Sequence, residues 1–496
     1  MIREFKRLNQ RFDLLVIGGG IYGAWTAYDA ALRGLSVALV ERTDWAAGTS
    51  SASSKLIHGG LRYLEHGHLG VVCKTLAERS RLLRLAPHRV RKLRFALPMH
   101  REARRPAWQL SIGLTIYDLL ARAARADRHT RLSGEDMIRS LPWLRHPQLS
   151  GGFTYLDAQE DDARMVLELV DGAMQAGAVA VNHAEVTVLL RDAHGRVCGA
   201  RVRDTLGDVS TEIRAALVIN TAGPWANALL PPGVRPAVRH TKGTHIVLPQ
   251  PAGGMHCAAL LTHPRDGRVF FAIPWYGRAM IGTTDTDDQT NLDNVRATDA
   301  DIDYLLEGLA ARCPAAGWSR ADVIGSFSGI RTLVGNSSGS ASSASREWTL
   351  VEPLPGLLQP VGGKFTSARI EAAEMVDRAL LSLHKPAIAC ATQHRLLPWA
   401  PPQPWDIWLA EQVAAGKRLA LSTDQATTLA QRHGTQIAEI YRRIATDPAL
   451  AQPIANDLPF LRAEVIHARE REMACTDDDL NRRRIPLAIL QRQHST

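Results

Sequence analysis

Gly18, Gly20 and Gly23 stand at G-x-G-x-x-G spacing behind the apolar run Leu14–Ile17. The first glycine permits a tight turn, the second lets backbone approach a pyrophosphate, and the third lets the next helix pack close to the strand. Ile21 opens that helix, and Gly34 closes it at a C-terminal capping position. A second strand, Ser36–Val40, ends at Glu41, where an acid can hold a ribose hydroxyl, with Arg42 beside it. Strand, turn, helix, strand and acid in register describe a dinucleotide site. They do not separate NAD from FAD. The next turn does: Thr49, Ser50, Ser51, Ser54 and Lys55 crowd hydroxyls and backbone donors together, and His58, Gly59 and Gly60 continue it. A second hydroxyl-rich loop suits a diphosphate lying across two loops with a ring system reaching beyond them, which is FAD.

The same stretch, SSASSKLIHGGLRYLEHG, resembles the signature of the FAD-dependent glycerol-3-phosphate dehydrogenase family. Later segments are similar in order and spacing: Asp161-Asp162-Ala163-Arg164, Asn220–Trp225, Lys242–Val247, Ile281–Asp285 and Gly362-Gly363-Lys364. The resemblance runs from about Phe12 to Arg369, with a weaker echo over Ala463–Arg484. It implies oxidation of sn-glycerol 3-phosphate to dihydroxyacetone phosphate by hydride transfer to flavin N5. It also implies a quinone as electron acceptor and peripheral attachment at the inner, cytoplasmic face of the membrane. Arg331 matches the family's active-site arginine, for the substrate hydroxyl or phosphate. Arg62 and Tyr63 match its substrate-contacting pair. Lys364 would lie near flavin N1 and the C2 oxygen, where a cation stabilises the reduced anion. Thr283 and Thr284 could offer a hydroxyl to substrate. Val186, Ala222, Gly223, Trp225, Gly363 and Phe365 complete the expected cofactor contacts. His245 reads as a strand histidine, and no general base is named. Other readings of the same scaffold are a glycerol-3-phosphate oxidase, an amine or amino-acid oxidase, and a flavin-binding protein without catalysis. Two departures stand near the site: Thr332 where the family has proline, and a serine-rich segment, Ser337–Ser345.

The elements that must position these residues follow from length and pattern. A chain of 496 residues is expected to form two or three domains. The expected class is α/β: a Rossmann-type FAD-binding domain (1–95, 150–235, 320–385) interleaved with a mixed-sheet substrate domain (96–149, 236–319). A C-terminal helical domain follows over 395–496. Helices are expected at Asp162–Ala176, Asp301–Ala311, Ser367–His384, Asp424–Arg443 and Leu461–Met473, and the proline-rich Leu397–Pro404 reads as a linker. Six scattered cysteines without a C-x-x-C pair argue against a disulfide frame or a metal site. Asp285–Asp288 lacks the glycine and glutamate of a calcium loop. No apolar run reaches transmembrane length, and Met1–Arg7 lacks a signal-peptide core. The net charge of +9 predicts an anionic partner, and no nucleic-acid motif is present, leaving a phosphorylated substrate and an anionic membrane surface. Glu78–Arg105, basic with leucines 82, 83, 85, 93 and 97 and Phe95 interspersed, reads as a membrane-facing patch continued by the apolar Ala107–Leu120. A homodimer is an open expectation.

Overall fold

The computed structural model describes residues 1–65, 67–102, 105–287, 291–335 and 348–492, the side chains of Arg62 and Glu65 excepted. The expected serine-rich loop Ser337–Ser345 lies outside them, as does Arg104.

Strand Arg11–Ile17 is the centre of the first sheet. Leu14, Leu15 and Val16 are fully buried because a parallel strand is covered on both faces. It pairs in parallel with Val37–Val40 on one side and Ser210–Asn220 on the other, and Leu357–Gly362 adds to the latter. Helices Ile21–Leu32, Asp162–Gln175 and Ala368–Ser382 bury alanine, valine and leucine in the core beside this sheet. The second sheet is mostly antiparallel. Its long strand Val238–Pro249 pairs with Arg278–Gly282 and, along ten residues, with Gly325–Val334. Arg91–His100 and Leu149–Gln159 carry the sheet on to Leu56–Ile57. Leu149–Gln159 and Gly325–Val334, expected in the first domain by position in the chain, therefore pair in the second sheet. The chain crosses between sheets through these segments, and the loops at the crossings form the candidate site.

Three expectations change. The stretch Glu78–Arg105 is interior in part: Arg79, Arg89, Leu82, Leu85, Leu93 and Phe95 are buried, while Arg84, Lys92, Arg101 and Arg105 are exposed. Arg79 donates to Asp157 at 2.6 Å, and Arg89 to Glu168 at 3.2 Å. These two arginines and the leucines beside them belong to buried ion pairs and packed elements, so composition alone misplaced that part of the stretch. Helix Ala107–Leu120 keeps its exposed apolar face, with Trp108, Ile112 and Leu119 more than half exposed. The proline-rich stretch is a packed strap, with Leu397, Trp399 and Ala400 in the core beside the first sheet and the Trp399 amide donating to Glu168. The expected helix Asp424–Arg443 is two, Thr423–His433 and Ile437–Thr446, divided at Gly434, whose φ is +50°.

The C-terminal helices join the first sheet through buried charge. Arg164 forks onto Glu472 at 2.6 and 2.7 Å, and Arg484 onto Asp44 at 2.7 and 2.9 Å. His433 and His467 adjoin Glu472, whose carboxylate is already engaged by Arg164. Such pairs are held by geometry, since each ion is far from water.

Candidate functional site

The nucleotide end begins at Gly18, whose φ of +104° only glycine adopts readily. A Cβ on Gly23 would fall on the Gly18 carbonyl, so the helix can lie this near the strand only without one. The Ile21 amide donates to Ser50 Oγ at 2.9 Å, tying the glycine turn to the serine loop. Glu41 accepts from the Gly19 amide at 2.7 Å and from the Thr43 amide at 2.9 Å. Val186 follows Ala184, whose amide donates to the Glu41 carbonyl, so it stands at the same end of the sheet. Ala222 and Gly223 form the turn after Ser210–Asn220, and space around Gly223 is open. Trp225 lies under the Arg42 guanidinium at 4.7 Å, and both bond to Asp293.

The serine loop is anchored on both sides. Thr49 Oγ1 donates to the Ile330 carbonyl at 2.6 Å. Ser53 donates to Asp162 at 2.7 Å, and the buried Lys55 ammonium to Asp162 at 2.7 Å and to the Ser51 carbonyl at 2.6 Å. Lys55 thus braces the loop from inside. Ser54 Oγ contacts His245 Nε2 at 2.9 Å, and His245 stacks on Phe327. Burial, with the charges of Arg331 and Lys55, keeps His245 well below its ordinary pKa, so its ring is neutral near pH 7.

The remaining candidate residues lie on segments joined to both sheets. The Lys364 ammonium lies 3.6 Å from the centre of the Tyr63 ring. The Lys364 amide donates to the Tyr22 hydroxyl at 3.0 Å, and that hydroxyl donates to Glu371. Burial and the Glu371 carboxylate push the Tyr22 phenol well above its ordinary pKa, keeping it a donor. Gly363, at φ +93°, lies against Tyr22, and a Cβ there would overlap the hydroxyl. Phe365 packs partly buried on the adjoining core. The His58 amide donates to Thr366 Oγ1 at 3.2 Å, and its ring meets Phe271 edge-on. Gly59 and Gly60 follow, Gly60 at φ +70°. Arg331 reaches Thr283 Oγ1 at 3.0 Å and Asp285 at 3.2 Å, and Gly243 leaves it room. Thr284 is buried, accepting from the Thr244 amide at 3.0 Å. Nearby, Lys242 pairs with Asp301 at 2.8 Å; against the upward push of burial, this contact and Thr298 hold the carboxylate below its ordinary range. The side chain of Arg62 lies outside the described residues.

Sequence reasoning missed Tyr22, Asp285 and Glu371. Tyr22 sits within the glycine motif at an unconstrained position, and its meeting with Gly363 and Glu371 spans about 340 residues of chain. Such contacts leave no local signal.

The residues fit FAD. Glycines 18, 23 and 363 stand where backbone close approach leaves no room for a Cβ, and two loops meet at the helix start, as a long dinucleotide needs.

Residues 13–350 match the model described as FAD dependent oxidoreductase, and residues 390–496 that of the C-terminal domain of alpha-glycerophosphate oxidase. Glycerol-3-phosphate dehydrogenase 2 of Mycobacterium tuberculosis is 37% identical over 493 residues, covering 98% of this chain and 83% of that protein. The aerobic glycerol-3-phosphate dehydrogenase of Staphylococcus saprophyticus is 34% identical over 489 residues, covering 96% and 87%. The FAD complex of the glycerol-3-phosphate dehydrogenase from Bacillus halodurans superposes with a TM-score of 0.79 at 29% identity, over 98% of this chain and 88% of that one. Glycine oxidase from Geobacillus kaustophilus, at 19% identity and a TM-score of 0.57 over 78% of this chain and 98% of that one, shares the fold. With a glycine turn that has no room for a side chain between strand and helix, and these likenesses over nearly its whole length, the chain belongs to the FAD-dependent glycerol-3-phosphate dehydrogenase family.

Proposed function

We propose that this protein oxidises sn-glycerol 3-phosphate to dihydroxyacetone phosphate and passes the electrons to a membrane quinone. The observation that carries the reading is a pair of contacts between separate elements, Arg331 on the Thr283 hydroxyl and the Lys364 ammonium over the Tyr63 ring. Bound FAD supplies the two-electron acceptor. Arg331 binds the substrate's phosphate or hydroxyl through its fork of donors, oriented by Asp285 and Thr283. Lys364 would supply a positive charge to offset the anionic charge of the reduced flavin. Tyr22 fixes the Lys364 backbone by accepting its amide proton.

Membrane attachment rests on helix Ala107–Leu120. Trp108, Ile112, Ile116 and Leu119 project within about 80° of one another on an ideal helix, 39–68% exposed. Arg101, Arg105, Arg122, Arg125 and Arg128 are exposed around its ends. An apolar stripe flanked by arginines suits the headgroup region of an anionic leaflet at the inner face of the cytoplasmic membrane. Among the described residues no helix is long and apolar enough to cross a membrane.

Anaerobic titration of the FAD-loaded protein with glycerol 3-phosphate is the test, and bleaching of the visible flavin bands is expected. An unbleached spectrum with that substrate, alongside bleaching by an amino acid, overturns the reading. The match to an oxidase C-terminal domain favours a second acceptor, oxygen. Stoichiometric hydrogen peroxide in aerated turnover would select it over quinone.

A further inference from the structure

We infer that Tyr117 is a positioning residue for the reacting end, holding the Gly59–Tyr63 segment in the geometry that sets Tyr63 beneath the Lys364 ammonium. The inference rests on the reading of Tyr63 and Lys364 as site residues.

Helix Ala107–Leu120 turns Trp108, Ile112 and Leu119 outward and Leu114 and Tyr117 inward, both 1% exposed. The Tyr117 hydroxyl accepts from the Gly59 amide at 3.0 Å and donates to the Asp157 carboxylate, whose oxygens lie 2.8 and 2.9 Å away. Asp157 is itself held by Arg79 at 2.6 Å and takes a longer contact from the Gly59 amide at 3.3 Å. The Thr75 hydroxyl lies 3.0 Å from the Gly59 carbonyl, its one proton shared with the nearer Val71 carbonyl at 2.8 Å. Gly59 has no room for a Cβ: one would press on the Tyr117 hydroxyl and on Leu76. One residue on, a Cβ at Gly60 would strike the Tyr63 ring, and that ring lies under Lys364 at 3.6 Å. An uninterrupted series of contacts thus runs from the phenol to the lysine: Tyr117, Gly59, Gly60, Tyr63, Lys364. The fold alone does not require the hydroxyl, because the ring fills its core site through Leu114, Tyr155 and the Arg79 guanidinium 5.9 Å from its centre. Burial and Asp157 push the phenol well above its ordinary pKa, so it remains a donor to Asp157 and an acceptor for Gly59 across the working range.

The test compares FAD-loaded Tyr117→Phe with Leu114→Ala, which loosens the same helix but leaves the hydroxyl. Three readouts are taken: thermal midpoint, hydrogen exchange of the peptide bearing Gly59, and the flavin midpoint potential by dye-coupled photoreduction. The potential needs no substrate, so it stays decisive even where glycerol 3-phosphate does not reduce the flavin. Tyr117→Phe is expected to keep its thermal midpoint within a few degrees, to exchange the Gly59 amide faster by at least tenfold, and to shift the potential. Given reduction by glycerol 3-phosphate, the limiting reduction rate falls at least fivefold while the apparent substrate affinity changes less than twofold. Leu114→Ala lowers the thermal midpoint and leaves potential and limiting rate near wild type. The inference is overturned if Tyr117→Phe matches wild type in potential and Gly59 exchange, or if Leu114→Ala moves the potential equally.

Discussion

Arg331 reaches the Thr283 hydroxyl, the Thr284 carbonyl and the Asp285 carboxylate, and this cradle sets where its donors point. Replacing it with alanine should leave flavin content unchanged and slow flavin reduction by glycerol 3-phosphate by roughly two orders of magnitude, the loss of a charge-assisted interaction of about 3 kcal/mol. Stopped-flow reduction rates read this directly, and a variant within a few-fold of wild type would place Arg331 outside the reaction. Arg331→Lys should recover only part of the rate, because a point charge cannot reproduce a planar fork. The arginine was singled out by its motif alone. Its partners left no sign in that motif, because Asp285 arrives from the loop after Arg278–Gly282.

At the scale of the element, the first helix depends on what it lacks. The Gly23 Cα faces the Gly18 carbonyl and the Thr221 hydroxyl, so any side chain must push helix Ile21–Leu32 away from its strand. Gly23→Val is therefore expected to purify without bound flavin, by loss of the 450 nm band typical of flavins; a fully coloured variant refutes the close-packing argument. The glycine motif made this helix legible within a residue at either end. The basic stretch misled because charge density says nothing about depth. Arg79 and Arg89 are interior because Asp157 and Glu168, some 80 residues away, come to meet them. Phe95 is interior because Arg91–His100 became a strand flanked on both sides, by Leu149–Gln159 and Ala258–Thr262. The exposed helix Ala107–Leu120 escapes that fate, having one packed face. Vesicles with anionic lipid should bind the wild-type protein at low salt and retain part of it at high salt. Ile112→Asp with Leu119→Asp should abolish the salt-resistant part without loss of flavin. Flotation equal to wild type would rule this face out.

Buried ions run through the C-terminal helices and from them to the segments beside the first sheet, which makes stability depend on pH. Burial lowers His467 to about 4, while Glu464 is held down to about 2 by Arg432 and His433 against burial's upward push. The histidine sign is this: below its unfolded pKa of about 6.5 the unfolded chain takes up a proton that the folded chain refuses until pH 4 or so. Stability therefore falls with decreasing pH across that window, by about 1.4 kcal/mol per unit at most for one such group. Glu464 stabilises above its unfolded pKa, about 4.3, and that contribution is lost as pH falls towards 2. Thermal midpoints should hold steady from pH 8 to 7 and decline below about 6.5, and His467→Gln should make the decline shallower. Parallel curves for the two proteins would remove His467 from this account. Breaking one partner of a buried pair is more severe: Arg164→Met leaves Glu472 buried against two histidines, and about 3–5 kcal/mol should be lost in denaturant unfolding.

The sequence by itself determined the nucleotide turn, the order of the main elements, the cofactor class and the family, because each is written in neighbouring residues: glycine spacing, apolar runs and short motifs. Sheet membership, the depth of charged side chains and the company kept by each site residue were decided only in three dimensions. Gly325–Val334 goes with the FAD-binding segments by its place in the chain until Val238–Pro249 pairs with it over ten residues. The proline-rich strap resembles a linker until Glu168 and Asp171 bind Trp399. Tyr22 is an ordinary helix residue until Gly363 and Glu371 come to lie against it. The physical reason is common to all three. A hydrogen bond or ion pair between residues tens to hundreds of positions apart imposes no pattern on either stretch of chain, so only the packed molecule can reveal it.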